Sequence, residues 1–413
     1  MLEKAQSGHL EMKLPDGEVR MFGSSCSGSD VMLQVHDETF IKDLVLKNDI
    51  GLGESYELKK WDADNLTGFI RWLLINQSHF KSTANPVFTK LAQSVLLLFE
   101  RIGHFRNRNS IDNSHDNISF HYDLGNTFYE NFLDSSMTYS SAFFTHEDQR
   151  LEDAQWEKYD RICRKINLQS NHHLLEIGTG WGGFAIHAAR EYGCKVTTTT
   201  ISKEQFRFAL KRVHELGLQD YIDVRFRDYR TLTGVYDRIV SIEMLEAVGH
   251  RYLGAYFNQC NKLLAPNGLV AYQVITCPNS HYESYTHKVD WIRKYIFPGG
   301  HLPSIDSITG AISKENVGWD LYHMESFGLH YARTLACWRD RFENSITVPN
   351  TKDSSPSFDR RWKFYLSYCE AGFLERHVNV VQLIFGKPDI STYQFERVAS
   401  ENEPQKLTVP VAS

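Results

Sequence analysis

Two acidic residues stand where a strand is expected to end, at a spacing suited to proton transfer. Residues 237–246 read DRIVSIEMLE, a β-branched run that ends in Glu243 and Glu246. Open α/β sheets bind ligands beside the carboxyl ends of their strands, so both carboxylates are expected in a binding crevice. An acid pair stabilised by a helix dipole is the ordinary alternative. A functional role is favoured for Glu246, because the next strand (272–276) adds polar groups to the same crevice.

A glycine-rich turn supplies the second chemical signal. Residues 174–183 read LLEIGTGWGG, so an apolar run breaks at Gly178, Gly180 and Gly182 before an Ala-rich helical pattern begins. Glycines at a strand-to-helix turn let the backbone approach a ligand and direct free N–H groups toward it. The spacing is E-x-G-x-G rather than the G-x-G-x-x-G of dinucleotide sites. It favours S-adenosylmethionine over NAD, with a structural strand-to-helix junction as the alternative.

The strand after this helix ends without the acid that usually binds a nucleotide ribose. Thr200 and Ser202 stand there instead, and Gln205 follows one helical turn later. Asp228 and Tyr229 close the next strand and are suited to hydrogen bonding and stacking on an adenine ring. An ordinary surface loop explains that pair equally well.

The elements that must position these residues follow from the periodicity of the chain. Strand and helix patterns alternate from about residue 150 to residue 276, which predicts a mostly parallel sheet covered on both faces. The predicted fold class is therefore α/β, doubly wound and Rossmann-like. Residues 277–304 interrupt the alternation as an insertion rich in Tyr, His and Pro, and residues 8–56 predict a small α+β N-terminal domain around a hairpin turn.

An apolar helical run near the end of the N-terminal region has two interpretations. Residues 91–99 include the sequence VLLLF, and Arg101, Arg106 and Arg108 follow directly. Packing within the N-terminal domain is the ordinary interpretation. The functional interpretation is a surface for a lipid chain, with cations that meet anionic head groups.

Composition and charge argue against several classes of function. A formal net charge of −6 argues against a nucleic-acid-binding protein, which needs a basic surface. The seven cysteines are scattered without a C-x-x-C pair, which indicates reduced thiols in a cytoplasmic protein. The histidines form no H-E-x-x-H motif, so no metal is expected. No signal peptide and no apolar run of roughly 20 residues is found, so we expect the protein to stay on the cytoplasmic side.

Seven motifs in a fixed order resemble one family. They are HYDLGN (121–126), YSSAFF (139–144), LLEIGTGWGG (174–183), TTISKEQ (199–205), DRIVSIEMLEAVG (237–249), WIRKYIFPGGHLPS (291–304) and FGLHYARTLACW (327–338). Together they resemble the cyclopropane-fatty-acyl-phospholipid synthase family, which includes the mycolic acid cyclopropane synthases. Members are S-adenosylmethionine-dependent enzymes that alkylate the cis double bond of an acyl chain. The resemblance covers about residues 118–385, and more weakly the region before residue 106.

The resemblance implies a class I methyltransferase sheet and a domain plan. The plan is a lipid-associated domain (1–105), a linker (106–117), the methyltransferase domain (118–390) and a loose tail (391–413). It implies that Tyr139 and Ser140 contact the cofactor, that the glycine turn holds its methionine side, and that Tyr229 lies against the adenine. The expected cofactor-binding set is Tyr139, Ser140, Gly178, Gly180, Trp181, Gly182, Thr200, Ser202, Gln205, Asp228 and Tyr229.

The resemblance also implies a bicarbonate ion beside the transferred methyl group. Three of its five ligands are expected at Glu246, at the Ile275 backbone and at Tyr331. Ser141 and Gln273 stand where the family has a cysteine and a histidine, and LEAVG replaces FEHVG. A hydroxyl and an amide can still hydrogen-bond an anion, so a differently tuned bicarbonate pocket is expected. These five residues form the expected catalytic set.

The resulting expectation is methylene transfer from S-adenosylmethionine to an unsaturated phospholipid, giving a cyclopropane fatty acid. Glu246 is expected to supply or orient the base, directly or through bicarbonate. Aromatic faces are expected to stabilise the carbocation, and the candidates are Tyr139, Phe143, Tyr331 and Trp338. A methyl-branched or methylene product, a small-amine N-methyltransferase and a non-catalytic lipid-binding protein remain alternatives. The family further implies a peripheral protein at the inner face of the cytoplasmic membrane, commonly a homodimer.

Overall fold

The structure is a computed structural model that describes residues 2–24, 30–80, 125–345 and 356–387. Several expectations concern other residues and lie outside these ranges. They are the apolar run 91–99 with its three arginines, the linker 106–117, the start of the HYDLGN motif and the tail 391–413.

The N-terminal module combines a small sheet with helices. Its strands are β1 (Gly8–Lys13), β2 (Val19–Ser24), β3 (Asp30–Val35) and β4 (Trp61–Ala63), in the order β2-β1-β3-β4. The hairpin predicted at Pro15, Asp16 and Gly17 joins the antiparallel strands β1 and β2. Alternate side chains of β1 are buried, as the alternating sequence predicts. The helices are α1 (Thr39–Glu57), α2 (Leu66–Ile75) and α3 (Gln77–Phe80).

A seven-stranded sheet forms the larger part of the structure. Its strands are β5 (His173–Ile177), β6 (Lys195–Thr200), β7 (Ile222–Phe226), β8 (Tyr236–Ile242), β9 (Leu264–Thr276), β10 (Asp320–Ser326) and β11 (Asn379–Gly386). The order is β10-β11-β9-β8-β5-β6-β7, with β5 to β9 parallel and with β10 and β11 antiparallel at one edge. The predicted α/β, doubly wound fold is confirmed. Because β5 pairs directly with β8, the glycine turn after β5 and the acids after β8 meet in one crevice.

Helices cover both faces of this sheet. Within the described ranges they are α4 (Asn126–Glu130), α5 (Leu151–Lys165), α6 (Gly183–Tyr192), α7 (Lys203–Glu215), α8 (Leu253–Leu263), α9 (Asn279–Thr286), α10 (Trp291–Tyr295), α11 (Ile305–Lys314), α12 (Gly328–Ser345) and α13 (Pro356–Leu374). Local sequence sets their ends: the Ser202 side chain caps α7, and α6 ends at Gly193, whose φ is 67°. No helix among the described residues is long and apolar enough to cross a membrane.

The N-terminal module and the sheet share one hydrophobic core. A single cluster of buried residues runs from Leu10 in β1 through Trp291 in α10 to Val380 in β11. Polar contacts reinforce the junction, because Arg360 of α13 donates to the Tyr56 carbonyl at 2.6 Å and to Asp62 at 2.8 Å. The module is therefore positioned by the same helices that border the crevice.

We predict that Gly53→Ala destabilises the protein through this junction. A Cβ atom at Gly53 would lie 2.1 Å from Nε1 of the fully buried Trp291, and a rigid indole cannot yield without repacking. Overpacking of this kind costs about 1–3 kcal/mol, measurable as a lower urea midpoint. Gly310→Ala in α11 is the matched control, since its Cβ would meet nothing within 4 Å and should stabilise by about 0.5–1 kcal/mol. Equal changes in the urea midpoint for the two substitutions would contradict a core shared by the N-terminal module and the sheet.

Candidate active site

Glu243, directly after β8, lies at the centre of the site. Its φ angle is 52°, a left-handed conformation that non-glycine residues rarely adopt and that costs roughly 1–2 kcal/mol. Its backbone N–H donates to the Gln273 carbonyl at 2.7 Å, which ties the strained residue to the neighbouring strand β9. Strain of this kind persists where the surroundings hold a residue in place, and it is common at functional sites.

Three donors surround the Glu243 carboxylate. The backbone N–H of Ser141 donates to Oε1 at 2.9 Å, and the Gln273 amide donates to the same oxygen at 2.8 Å. The Tyr331 hydroxyl, from α12, donates to Oε2 at 2.8 Å. Ser141, Gln273 and Tyr331 are three of the five residues that sequence analysis assigns to a bicarbonate ion. The structure brings them together around a carboxylate of the chain itself.

The orientation of Gln273 is fixed by a chain of hydrogen bonds. Its amide oxygen accepts from the Gln382 amide at 3.1 Å, and the oxygen of Gln382 accepts from Lys165 at 2.5 Å. Since Gln273 uses its oxygen for Gln382, its nitrogen is the group that faces Glu243. The buried Lys165, at the other end of this hydrogen-bond chain, thus determines that the Gln273 amide nitrogen faces Glu243.

Ser141 contributes its backbone rather than its side chain. Its hydroxyl donates to the Ala142 carbonyl at 3.0 Å, while its amide N–H binds Glu243. The expectation that a hydroxyl replaces the family cysteine as an anion ligand is therefore not what this geometry shows. The preceding residue, Ser140, accepts from Lys158 at 2.7 Å through its hydroxyl.

Glu246 lies one short turn beyond Glu243. Its Oε1 accepts from the Ile275 backbone N–H at 2.5 Å, so these two residues, expected as ligands of one bicarbonate ion, bind each other here. Its Oε2 is buried and has no hydrogen-bond partner among the described residues. Burial, followed by the charge of Glu243, raises the pKa of Glu246 to about 8.

The two carboxylates differ in the number of donors that they receive. Burial raises the pKa of Glu243, and its three donors and Lys158 oppose that rise. Glu246 accepts from a single backbone N–H. The ionised form is therefore better supported by hydrogen bonds at Glu243 than at Glu246, which makes Glu243 the carboxylate better suited to accept a proton.

The glycine turn forms a cradle with room for a ligand. Gly180 has a φ of 53°, and a Cβ atom there would meet nothing within 4 Å, so open space lies against its backbone. Gly178 has a φ of 101° and a Cβ that would lie 2.5 Å from Cγ of Met244. At Gly182 the Cβ would lie 3.3 Å from Cβ of Ala209, so this glycine serves the packing of α7. The open backbone at Gly180 fits the methionine part of S-adenosylmethionine.

The ends of β6 and β7 lie side by side next to this turn. Thr200 donates to the Gln205 amide oxygen at 2.9 Å, and Ser202 accepts from the Gln205 backbone N–H at 3.3 Å. The amide nitrogen of Gln205 can therefore donate to a ligand hydroxyl, a role suited to a residue in place of the ribose acid. The residue before Asp228 binds the same strand end, because the N–H of Arg227 donates to the Thr200 carbonyl at 3.0 Å.

Three of the expected cofactor-binding residues make contacts with other side chains of the protein. The Trp181 indole is buried, donates to Asn126 at 2.8 Å and packs on Tyr129. The Asp228 carboxylate pairs with Arg230 at 2.5 Å. The Tyr229 ring lies edge-on to Tyr256 with centroids 4.9 Å apart.

The aromatic residues expected to stabilise a carbocation differ in the contacts that they make. Tyr139 packs on Trp338 at 5.2 Å and its hydroxyl lies 2.9 Å from that of Tyr365. Tyr331 packs edge-on to Trp338 and donates to Glu243. The Phe143 ring, in contrast, stacks on the His330 ring with centroids 4.3 Å apart. The Arg161 guanidinium carbon lies 3.9 Å from the Phe143 ring centroid. The role of Phe143 in stabilising a cation stays a prediction.

Sequence reasoning missed the central role of Glu243 and the contributions of α5. The resemblance selected Glu246, although the sequence already showed both acids at the strand end. Lys158 falls on the buried face of α5, four residues before Ile162 and four after Ala154. A lysine at a core position of an amphipathic helix is the signal that could have revealed it.

The chain is similar in sequence and fold to known proteins. The family model described as mycolic acid cyclopropane synthetase matches residues 109–383. Tuberculostearic acid methyltransferase UfaA1 of Mycobacterium tuberculosis is 36% identical over 347 residues, which are 81% of this chain and 78% of that protein. The cyclopropane-fatty-acyl-phospholipid synthase of Escherichia coli is 33% identical over 363 residues, which are 86% of this chain and 87% of that protein. The structure of mycolic acid cyclopropane synthase CmaA1 complexed with SAH and CTAB is similar with a TM-score of 0.60 and 29% identity, covering 66% of this chain and 98% of that chain.

We predict that Glu246→Gln stabilises the protein more at alkaline than at acidic pH. With a pKa raised from 4.5 to about 8, Glu246 keeps a proton in the native state that the unfolded chain releases. Stability of the unaltered protein therefore falls as the pH rises from about 4.5 to about 8. A glutamine has no proton to lose. The gain in Tm should be at least about 2 °C larger at about pH 8.5 than at about pH 5.5.

The same substitution at the exposed Glu283 is the control and is measured in the same buffers. An equal gain for Glu246→Gln at both pH values would show that Glu246 is already ionised in the native protein.

Proposed function

The chain belongs to the mycolic acid cyclopropane synthetase family, and we propose that it alkylates the cis double bond of an unsaturated acyl chain with Glu243 as the base. That it is an S-adenosylmethionine-dependent methyltransferase follows from the family and from the SAH-bound relative. The single observation that carries the proposal is the Glu243 carboxylate, held by three donors at the centre of the expected catalytic set.

A bicarbonate ion does not fit the donors that are present. The Ser141 amide, the Gln273 amide and the Tyr331 hydroxyl already donate to Glu243. A second anion bound to the same donors would lie next to the Glu243 carboxylate. Like charges repel strongly in a site shielded from water. We propose that the Glu243 carboxylate performs the role that the family resemblance assigns to bicarbonate, and no step below uses bicarbonate.

The chemistry explains why these residue types are needed. S-adenosylmethionine, when bound, supplies an electrophilic methyl group. The alkene electron pair forms the new carbon–carbon bond as the methyl–sulfur bond breaks and the sulfur keeps that bond's electron pair. A positive charge is left on the other alkene carbon. The aromatic faces of Tyr139, Tyr331 and Trp338 lie together beside Glu243 and can stabilise that cation. A C–H bond then breaks, its electron pair neutralises the cation, and the proton passes to the Glu243 carboxylate.

The proton that leaves determines the product. Loss from the transferred methyl group closes a cyclopropane, which is the product that the Escherichia coli relative's name favours. Loss from a neighbouring chain carbon gives a methyl-branched alkene. One structural observation favours this second candidate: the base is fixed to the chain by three donors and cannot move with the substrate. The name of the UfaA1 relative, a methyltransferase, supports it as well.

We further propose that the acceptor is a phospholipid and that the protein acts peripherally at the inner face of the cytoplasmic membrane. The name of the Escherichia coli relative, matched over 86% of this chain, supports a phospholipid acceptor. The N-terminal module packs on α13 and α10. Helix α13 reaches the site through Tyr365, whose hydroxyl lies 2.9 Å from that of Tyr139, so the module is suitably placed for presenting a lipid chain.

Expression in a host that lacks acyl-modifying enzymes, with isotopically labelled methionine, tests the function and the product. Fatty acid methyl esters are analysed by mass spectrometry before and after hydrogenation. We expect label in a chain that is one methylene heavier. Resistance to hydrogenation identifies the cyclopropane, and uptake of hydrogen identifies the methyl-branched alkene. Label on a small amine, or no labelled lipid, would overturn the proposal.

We predict that Glu243→Gln lowers kcat by about 10²–10⁴-fold, because the base is lost. Tyr331→Phe removes one of three donors and should lower kcat by about 10-fold, since a hydrogen bond to a charged group contributes about 1.5–3 kcal/mol. Glu246→Gln should retain most activity, because its carboxyl group is already neutral. Calorimetry with S-adenosylmethionine shows whether each variant still binds the cofactor. Full turnover by Glu243→Gln would exclude Glu243 as the base.

A further inference from the structure

Lys158 is fully buried on the inner face of α5, where a charged group is unexpected. Its Nζ donates to the Ser140 hydroxyl at 2.7 Å and lies 4.2 Å from the centroid of the Tyr159 ring. Within the described ranges it forms no ion pair. A buried ammonium group without a carboxylate partner costs several kcal/mol, so its presence requires a compensating role.

The charges that act on Lys158 point to that role. Burial lowers the pKa of Lys158 to about 7, and the carboxylates that oppose this fall are Glu243 first, then Asp134 and Glu176. Asp134 is bound by the Ser136 and Thr138 backbone amides, and burial raises the pKa of Glu176 to about 8. Glu243 is therefore the acid of the site whose negative charge a protonated Lys158 would stabilise most.

A hydrogen-bonded path joins the same helix to Glu243. Gln155, one turn before Lys158 on α5, donates to the Ser140 carbonyl at 2.9 Å. That carbonyl belongs to the peptide group whose N–H, that of Ser141, donates to Glu243 at 2.9 Å. A donor on the carbonyl polarises the peptide and strengthens the hydrogen bond that its N–H makes. Lys158 holds the Ser140 side chain beside this peptide.

We propose that Lys158 is a positioning residue for the reaction, the buried counter-charge of Glu243 that also fixes the Ser140–Ser141 peptide. It acts through its hydrogen bond to Ser140 and through the electrostatic effect of its charge on Glu243, without contacting substrate. The inference rests on the proposed function of Glu243 as the base. It adds a requirement that the family assignment does not contain, namely that α5 keeps the Glu243 carboxylate ionised and fixed in position.

Lys158→Met tests the charge while keeping the length of the side chain. Loss of a positive charge makes ionisation of Glu243 less favourable, so the acid limb of the pH profile of kcat/KM should move to higher pH by about one unit or more. At pH 7, kcat should fall by about 10-fold or more, with a change of less than about 3-fold in cofactor affinity. The groups whose titration bears on this profile are Glu243, Glu246, Tyr331, Asp134, Glu176 and Lys158 itself.

Thermal stability separates this role from a structural one. Replacing a buried charge by a methionine of similar volume is often neutral or stabilising, so the Tm of Lys158→Met should not fall. Gln155→Met removes the donor on the Ser140 carbonyl but no charge. Because it weakens one hydrogen bond to Glu243 and removes no charge, it should lower kcat and move the acid limb to higher pH by less than Lys158→Met does. Lys211→Met on the exposed side of α7 is the matched control and should leave kcat, the acid limb, the cofactor affinity and the Tm unchanged.

The outcomes separate the two proposals. If the unaltered protein alkylates acyl chains and Lys158→Met shows the same kcat and the same acid limb, the role of Lys158 is refuted while the proposed function stands. A Tm and a cofactor affinity that fall together with kcat would make Lys158 a structural residue and refute the inference too. If the unaltered protein alkylates no acyl chain, the proposed function itself fails.

Discussion

Two partly buried carboxylates within one turn of each other impose the constraint on which the rest of the site depends. Burial disfavours the ionised form of each, and both cannot be ionised together without strong repulsion. The structure resolves this by unequal solvation. Glu243 receives three donors, whereas Glu246 receives one and keeps an oxygen without a partner. The result is that hydrogen bonds favour the ionised form more at Glu243 than at Glu246.

The donors come from distant parts of the chain, so the site exists only in the folded protein. Ser141 precedes the sheet, Gln273 lies in β9, and Tyr331 lies in α12 beyond the insertion. Gln382, near the end of the described chain, sets the orientation of Gln273. The left-handed backbone of Glu243 is a local cost that these long-range contacts stabilise. This arrangement explains why strands β9 and β11 carry glutamines in otherwise apolar runs.

Sequence reasoning predicted the features that local pattern determines. The alternation of strands and helices, the glycine turn at Gly180 and the hairpin at Gly17 follow from propensity and turn chemistry, and the structure shows them. The resemblance also placed Ser141, Gln273 and Tyr331 in one set, and the structure brings these three together. It could not show that Ser141 uses its amide, because backbone donors have no signature in the side-chain sequence. Nor could it show that Glu243 accepts from the residues expected to hold a separate anion, since that depends on how β8 ends in three dimensions.

The most direct test of the account is the dependence of methyl transfer on bicarbonate. The rate is measured in buffer freed of carbon dioxide and again after sodium bicarbonate is added, for the unaltered protein and for Glu243→Ala. If Glu243 is the base, the unaltered protein should be equally active in both buffers, and only Glu243→Ala, whose donors are released, should gain activity from bicarbonate. An unaltered protein that is inactive without bicarbonate would contradict the account.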